Sequence, residues 1–517
     1  MTTSKKTKDF KNDAESNNAD ESNNADESNN ADESDNADES DNADGSDKAD
    51  GSVSVGEAER VTETDTPRVI GPLAGFAVVA GSMLGVGIFL FPTKVAVVVD
   101  SQWVFFLLWL VGGLFALSGS VACGELGAMM PRAGGDYVFQ GAAFGPSVAF
   151  ASGWVLFVAI FCGSIAAMSV AVFQYQISAL IGVDLTLHVG GLPFSWTQLM
   201  AMVLILVLTF INHLGARVSA LTQVILTITP IITLSLLAGW VLGGSPSTVT
   251  PPPAQKVGAE TLTFSGLAAG FLYINFAFSG WINIIYVAGE VKEPHKNIPR
   301  SMVSASIGVT SLYILLCAAF ISVLGFTGLS ALGWTDAGTG MANALGSPAL
   351  AKAILVLISV AIVTSVNATV LSSSRVAYAM GKGGAFWKWA AKLSGSRKTP
   401  RRALWLQAAI ACGFVLSGTF DEIIKMTSVA MFVTGGLTVF SMFVLRRTRP
   451  EAPRPYRATL YPVLPGLYIV LSVFAIAESL HQAYQQSGAE SYYPVIGICL
   501  LVAAFILHRS FGRIPRK

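Results

Sequence analysis

The sequence predicts an all-helical polytopic membrane protein with twelve transmembrane helices, and three observations carry that reading. Of 517 residues, 52% are hydrophobic and 13% are Asp, Glu, Lys or Arg, against about 25% charged in an ordinary soluble domain. The mean hydropathy is +0.57. Past Arg68 the chain divides into apolar stretches long enough to cross a hydrocarbon core of about 30 Å. Charge is partitioned too: residues 1–68 hold 20 of the 33 acids and 7 of the 33 bases, a net −13, and the rest of the chain carries +13. Such a split is expected of a solvated tail on a lipid-embedded body.

The elements follow in order. Residues 1–68 read as a disordered acidic cytoplasmic tail, in which a six-residue unit repeats from Glu15-Ser-Asn-Asn-Ala-Asp20 to Gly45-Ser-Asp-Lys-Ala-Asp50. The repeat has no large apolar side chain to offset the entropy of ordering. Its polar start lacks a signal-peptide pattern, so the first apolar segment is expected to act as the anchor. Spans are placed near 70–98, 103–129, 147–180, 197–212, 218–243, 264–289, 301–325, 350–379, 403–420, 427–445, 461–481 and 491–508. Together they make a domain over 69–510, followed by a basic cytoplasmic C-terminus at 511–517. With both termini cytoplasmic, roughly 20 bases fall inside and about four (Lys94, Lys256, Lys352 and Lys425) outside, as the positive-inside rule asks. Pro251–Pro253 reads as an extracellular loop, and Pro450–Pro465 as an extended cytoplasmic connector.

Several chemistries are not encoded. Cys123, Cys162, Cys317, Cys412 and Cys499 sit apart in apolar runs, so neither a disulfide framework nor a metal site is expected. Gly381-Lys-Gly-Gly384 has the wrong spacing for a phosphate-binding loop. No paired carboxylates or nucleophile–base set lies mid-span, so an enzyme is not expected. Nothing calls for a cofactor or a nucleic-acid partner. The lipid bilayer is the evident surrounding, and a monomer or a homo-oligomer fits the chain equally.

The informative segments are two interrupted spans. The first contains Gly81-Ser-Met-Leu-Gly85-Val-Gly87-Ile-Phe89, where each glycine weakens a helix by about 1 kcal/mol relative to Ala. Non-helical backbone inside a bilayer survives only where it lines a cavity or is buried in protein. Packing of small residues accounts for Gly81-x-x-x-Gly85 as well. The sixth span breaks the same way at Phe276-Ala-Phe-Ser-Gly280-Trp281. Breaks five helices apart suit a pair of five-helix inverted repeats whose half-helices meet at one site. Free N–H groups at a half-helix start attract a carboxylate, and free carbonyls attract an ammonium. With no ionisable residue in either break, such a site suits a zwitterion.

These residues resemble the amino acid–polyamine–organocation superfamily of permeases. Gly85-Val-Gly87-Ile-Phe89 is similar to its first-helix motif, and Glu125-Leu-Gly-Ala-Met-Met-Pro-Arg-Ala-Gly-Gly-Asp-Tyr137 resembles the loop after its second helix. The stretches Phe276–Arg300, Asn367-Ala-Thr and Ser374-Arg-Val-Ala-Tyr378 resemble its sixth and eighth helices. The resemblance implies a LeuT-type 5+5 fold with helices 1 and 6 unwound, plus two C-terminal helices. It implies that N–H groups of Val86 and Gly87 hold the substrate carboxylate. Carbonyls of Met83, Phe276 and Ser279 would hold the amino group, with Gly85, Ala277 and Ser164 completing the pocket and Phe276 and Phe278 gating it. Val86 stands where many members have Ser or Thr, and Pro230 stands where neutral-substrate members carry a lysine three residues after a threonine, here Thr227. The coupling ion is therefore left open between proton, sodium and uncoupled exchange. A sodium site would use carbonyls of Gly81 and Leu84 with Ser365. Ile282 replaces an acidic residue of some antiporters.

The expected activity is secondary active transport of amino acids, most readily neutral ones, across the cell membrane by alternating access. The alternatives are a polyamine or cationic amino acid permease, which would want acidic pocket residues, and a non-transporting amino acid sensor. Elsewhere, Glu125, Arg132 and Asp136 read as one cytoplasmic cluster, either solvated or gating with Arg375 or Lys292. Glu478 reads as interfacial. Asn367 suits a helix–helix hydrogen bond and a pocket role equally.

Overall fold

The computed structural model describes residues 66–99, 101–191, 193–244, 264–333, 335–395, 398–417, 420–485 and 493–511, with the side chains of 420–428, 493–494 and 511 excepted. The repeat tail, the Pro251–Pro253 loop and residues 512–517 lie outside them. The described residues belong to the unit spanning Val61–Lys517.

Helices dominate, and among the described residues extended pairing is confined to isolated bridges. The first span is split into α1 (Pro72–Met83) and α2 (Gly87–Val98). There follow α3 (Gln102–Met129), the short α4 (Asp136–Phe144), α5 (Pro146–Ile181), α6 (Trp196–His213) and α7 (Ala216–Gly243). The sixth span is α8 (Phe264–Phe278) and, after a four-residue break, a 3₁₀ stretch over Asn283–Glu290. Next come α9 (Pro294–Ala331), α10 (Ala337–Ala344), α11 (Pro348–Lys382), α12 (Arg401–Ser417), α13 (Phe420–Thr448), α14 (Val463–Gln485) and α15 (Tyr493–Phe511).

Ten helical segments among the described residues are long and apolar enough to cross a membrane, counting each broken span once. The ninth and twelfth expected spans fall short of that measure. α12 has 17 residues, opens on Arg401-Arg402 and buries Gln407, and the apolar part of α15 is Val495–Ser510. At 1.5 Å per residue α12 reaches about 25 Å.

Local signals account for several boundaries. Pro72 stands at the start of α1 and Pro348 at the start of α11, where a missing N–H costs nothing. Ser195 and Gln198 form a reciprocal cap on α6: the Ser195 N–H donates to Gln198 Oε1 at 2.8 Å and the Gln198 N–H to Ser195 Oγ at 3.3 Å. α9 kinks at Gly325, whose φ of 70° lies outside helical space. α5 is widened by π-helical stretches at Val155–Cys162 and Val172–Ile177, a geometry frequent at functional sites.

Between the helices, small residues admit close contact and polar side chains supply hydrogen bonds. Gly113 of α3 lies against Thr310 of α9, and Gly119 under the Trp281 ring. Ser120 and Ser306 join α3 to α9 at 2.7 Å. Asn212 on α6 donates to Asn367 Oδ1 (2.8 Å), and Asn367 on α11 donates to Gln223 Oε1 on α7 (2.7 Å). Asn367 is thus a helix–helix link; it is absent from the cavity wall described below. Glu478 is 6% exposed, shielded within the helices, and accepts from Gln482 at 3.2 Å.

The expected Glu125–Arg132–Asp136 cluster does not form. Glu125, 1% exposed, accepts from Arg446 Nε at 2.9 Å and Nη2 at 2.5 Å, and from the Ala458 N–H at 2.6 Å. Arg446 also stacks on the Tyr461 ring at 3.8 Å. One carboxylate therefore ties α3 to α13 and to the Pro-rich connector beyond it. Arg132 is exposed, whereas Asp136 is turned inward by the Gly134–Gly135 reversal, with φ of 113° and 47°. Removing one partner of a buried pair strands the other charge, at a cost of about 3–5 kcal/mol. Glu125→Ala is accordingly expected to lower the thermal midpoint of the detergent-purified protein far more than Arg132→Ala; equal midpoints would contradict the tie.

Candidate functional site

At the first break, helical hydrogen bonding ends with the Leu84 N–H donating to the Ala80 carbonyl at 2.9 Å, and Leu84 turns to extended backbone (φ −70°, ψ 91°). α2 restarts at Gly87, so its first N–H groups have no partner within the helix. At the second break Gly280 adopts φ 105°, a conformation that glycine adopts without the Cβ penalty. The breaks touch. A Cβ on Gly280 would stand 2.6–2.8 Å from Ser82 Cβ, C and O, and one on Gly87 would stand 2.5 Å from Ala277 Cα. Glycine at both positions is what lets the two backbones meet.

Side chains from other helices take up the exposed backbone. The Tyr313 hydroxyl on α9 lies 2.6 Å from the Met83 carbonyl and 3.1 Å from that of Ala277, bridging the breaks. Ser365 on α11 donates to the Ser82 carbonyl at 2.9 Å, and Asn283 donates to Ser82 Oγ at 2.7 Å. One turn earlier, the Ala77 carbonyl accepts from Thr227 (3.1 Å) and Gln223 (3.3 Å).

A cavity of about 90 Å³ opens beside the breaks. At roughly 10–15 Å³ per water position, it has room for about six to nine non-hydrogen atoms. Ser82 comes from the first break and Asn275, Phe276 and Ser279–Asn283 from the second. α5 supplies a stripe, Leu156, Ile160, Ser164 and Met168. Ser365 and Thr369 face it from α11, Thr434 and Gly435 from α13, and Tyr286, Tyr468 and Asp136 complete the wall.

Of the residues singled out from sequence, Phe276, Ser279, Ser164 and Ser365 lie on this wall. Met83, Gly85, Val86, Gly87 and Ala277 do not, and neither do Gly81 and Leu84. The reasons are visible: Tyr313 occupies the Met83 and Ala277 carbonyls, Gly87 is pressed on Ala277, and Gly81 faces Gln223, Thr227 and Thr364. Phe276 packs edge-on against Phe91 of α2 at 5.7 Å, at the cavity rim. Phe278 points elsewhere, into Tyr313 and Trp109 at 5.0 and 6.1 Å, and is 1% exposed.

Sequence reasoning missed three features. Tyr313 is a lone tyrosine in an apolar span, with no local signal. Asp136 reads in sequence as part of a cytoplasmic cluster, solvated or gating, yet it borders the cavity. Arg375 does make an ion pair, but with Glu290, at 2.9 and 3.1 Å. The Glu290 carbonyl accepts the N–H groups of Val69 and Ile70 (2.8 and 2.9 Å), and the Lys292 N–H donates to the Ile70 carbonyl (2.9 Å). The entry to α1 is thereby clamped to the end of the sixth span and to α11.

Two broken membrane-crossing helices, joined through their breaks and flanked by a small, mainly apolar cavity with polar groups on its wall, define a membrane transport protein. The chain belongs to the amino acid permease family, which matches residues 70–505. It is similar to the serine/threonine exchanger SteT of Bacillus subtilis (28% identity, covering 80% of this chain and 91% of the relative). Similarity extends to the human b(0,+)-type amino acid transporter 1 (25%; 88% and 91%) and to the mouse Asc-type amino acid transporter 1 (27%; 79% and 76%).

Two outcomes are expected. Gly280→Ala and Gly87→Ala drive a methyl into the opposing backbone and should abolish transport, while Gly85→Ala, whose nearest neighbour would be Ser365 Oγ at 3.6 Å, should retain most of it. Comparable loss in all three would refute the close approach. Arg375→Ala should release the clamp, increasing modification of a cysteine placed at Ile70 by a soluble maleimide several-fold over the wild-type background.

Proposed function

We propose that this amino acid permease moves small neutral amino acids across the cell membrane by alternating access about its two broken spans. The observation that carries the substrate class is the cavity itself. Its wall presents hydroxyls and amides (Ser82, Ser164, Ser279, Asn283, Ser365 and Thr369), and its volume suits a ligand the size of alanine, serine or threonine. Lysine, arginine and spermidine carry more non-hydrogen atoms than it admits. The relative named as a serine/threonine exchanger supports the same choice.

In this reading the substrate amino group meets carbonyls of the second break near Phe276 and Ser279. The carboxylate meets the free N–H groups at Val86 and Gly87, which become accessible as the broken spans move during alternating access. Phe276 with Phe91 gates one side. With both termini cytoplasmic, the Glu290–Arg375 clamp closes the inner side. A twelve-helix arrangement of two inverted five-helix repeats, with α12 and α15 among the spans, fits the positions of the breaks five helices apart.

The test is uptake of a labelled amino acid panel into liposomes holding the purified protein, driven by a proton gradient, a sodium gradient or internal amino acid alone. Serine, alanine or threonine is expected to accumulate, with lysine and spermidine at background. Preferential lysine or spermidine uptake would overturn the substrate class. Substrate-induced thermal stabilisation with no flux under any condition would make the protein a sensor.

A further inference from the structure

We propose that Asp136 is the proton-binding site of the cavity: a small neutral amino acid and a proton on this carboxyl occupy the protein together. The inference rests on the transport reading above and adds to it the group that links binding to protons.

Asp136 is the one wall residue with a carboxyl or a basic group, and it is 2% exposed. Its Oδ2 accepts from the Tyr286 hydroxyl at 2.9 Å, while Oδ1, also buried, makes no hydrogen bond. No lysine or arginine pairs with it among the described residues. From α3 it is faced by Cys123, and from α14 by Tyr468. The nearby Thr438 on α13 directs its hydroxyl to the Thr434 carbonyl at 3.0 Å. α5 has no charged residue. Arg375 of α11 is committed to Glu290, and Arg446 of α13 to Glu125.

A carboxylate in this position has lost water without gaining a cation, which favours the neutral acid. Burial pushes the Asp136 carboxyl up to about 6, although the Tyr286 hydroxyl pulls the other way. A zwitterion confined beside it adds a second carboxylate to a cavity of about 90 Å³. A proton on Asp136 removes that like-charge repulsion. Substrate and proton then favour each other, and the linkage is reciprocal.

The experiment is serine binding to the purified full-length protein, followed by titration calorimetry between pH 5.5 and 8. Affinity is expected to fall by about tenfold per pH unit above 6. In buffers of different ionisation heat, about one proton should be taken up per serine at pH 7. Asp136→Asn should bind at pH 7.5 with the affinity that the wild type shows at pH 5.5, without pH slope or proton uptake. The wild-type proton count answers the question even if the variant fails to fold. Serine binding that is flat with pH and takes up no proton would overturn the proposal and leave the transport reading intact. Lysine binding that tightens as pH rises would instead make Asp136 an ammonium ligand. Absence of binding for every amino acid at every pH would remove the transport reading, and this inference with it.

Discussion

The structure depends on one constraint: backbone exposed by an unwound helix in a low-dielectric interior must find partners. Each break strips carbonyls and N–H groups of their helical bonds. Tyr313 bridges the Met83 and Ala277 carbonyls, and Ser365 serves Ser82. These partners come from α9 and α11, so those helices are positioned by the need to satisfy the breaks. The glycines at 87 and 280 set how near the two breaks come, and the cavity is the space left beside that contact.

The same interior tolerates few charges, and those present are put to structural use. Glu125 with Arg446 and Glu290 with Arg375 are shielded pairs with additional hydrogen bonds, the arrangement in which a buried ion pair offsets its desolvation. They also differ in what they hold. The Glu125 pair joins α3, α13 and the connector that leads to α14, a scaffold contact. The Glu290 pair sits where α1 enters, where the sixth span ends and where α11 passes, so it restrains the elements that carry the breaks. Asp136 has no such partner, and that contrast gives it a chemical role rather than a structural one.

The legibility of the chain followed the locality of each signal. Broken spans could be read because glycine weakens a helix wherever it stands, and Gly81-x-x-x-Gly85-x-Gly87 and Gly280 lie in otherwise apolar runs. Phe276, Ser279, Ser164 and Ser365 were found because they stand near the breaks or match the permease pattern. Met83 is expected from sequence to present a free carbonyl and Ala277 to complete the pocket, and nothing local announces a tyrosine thirty or more residues away that meets both. Glu125 and Asp136 look alike in sequence, yet Glu125 stays on α3 to meet α13, whereas the two-glycine reversal after that helix turns Asp136 into the cavity.

The sequence by itself determined that this chain is helical, membrane-embedded and broken at two places, because composition, hydrophobic length and glycine content act residue by residue. Tertiary structure alone decided which exposed backbone groups are consumed by neighbours, which carboxylates are paired, and how much space remains. Those outcomes depend on side chains that meet only after the helices pack, as Asp136 and Tyr286 do across 150 residues of chain.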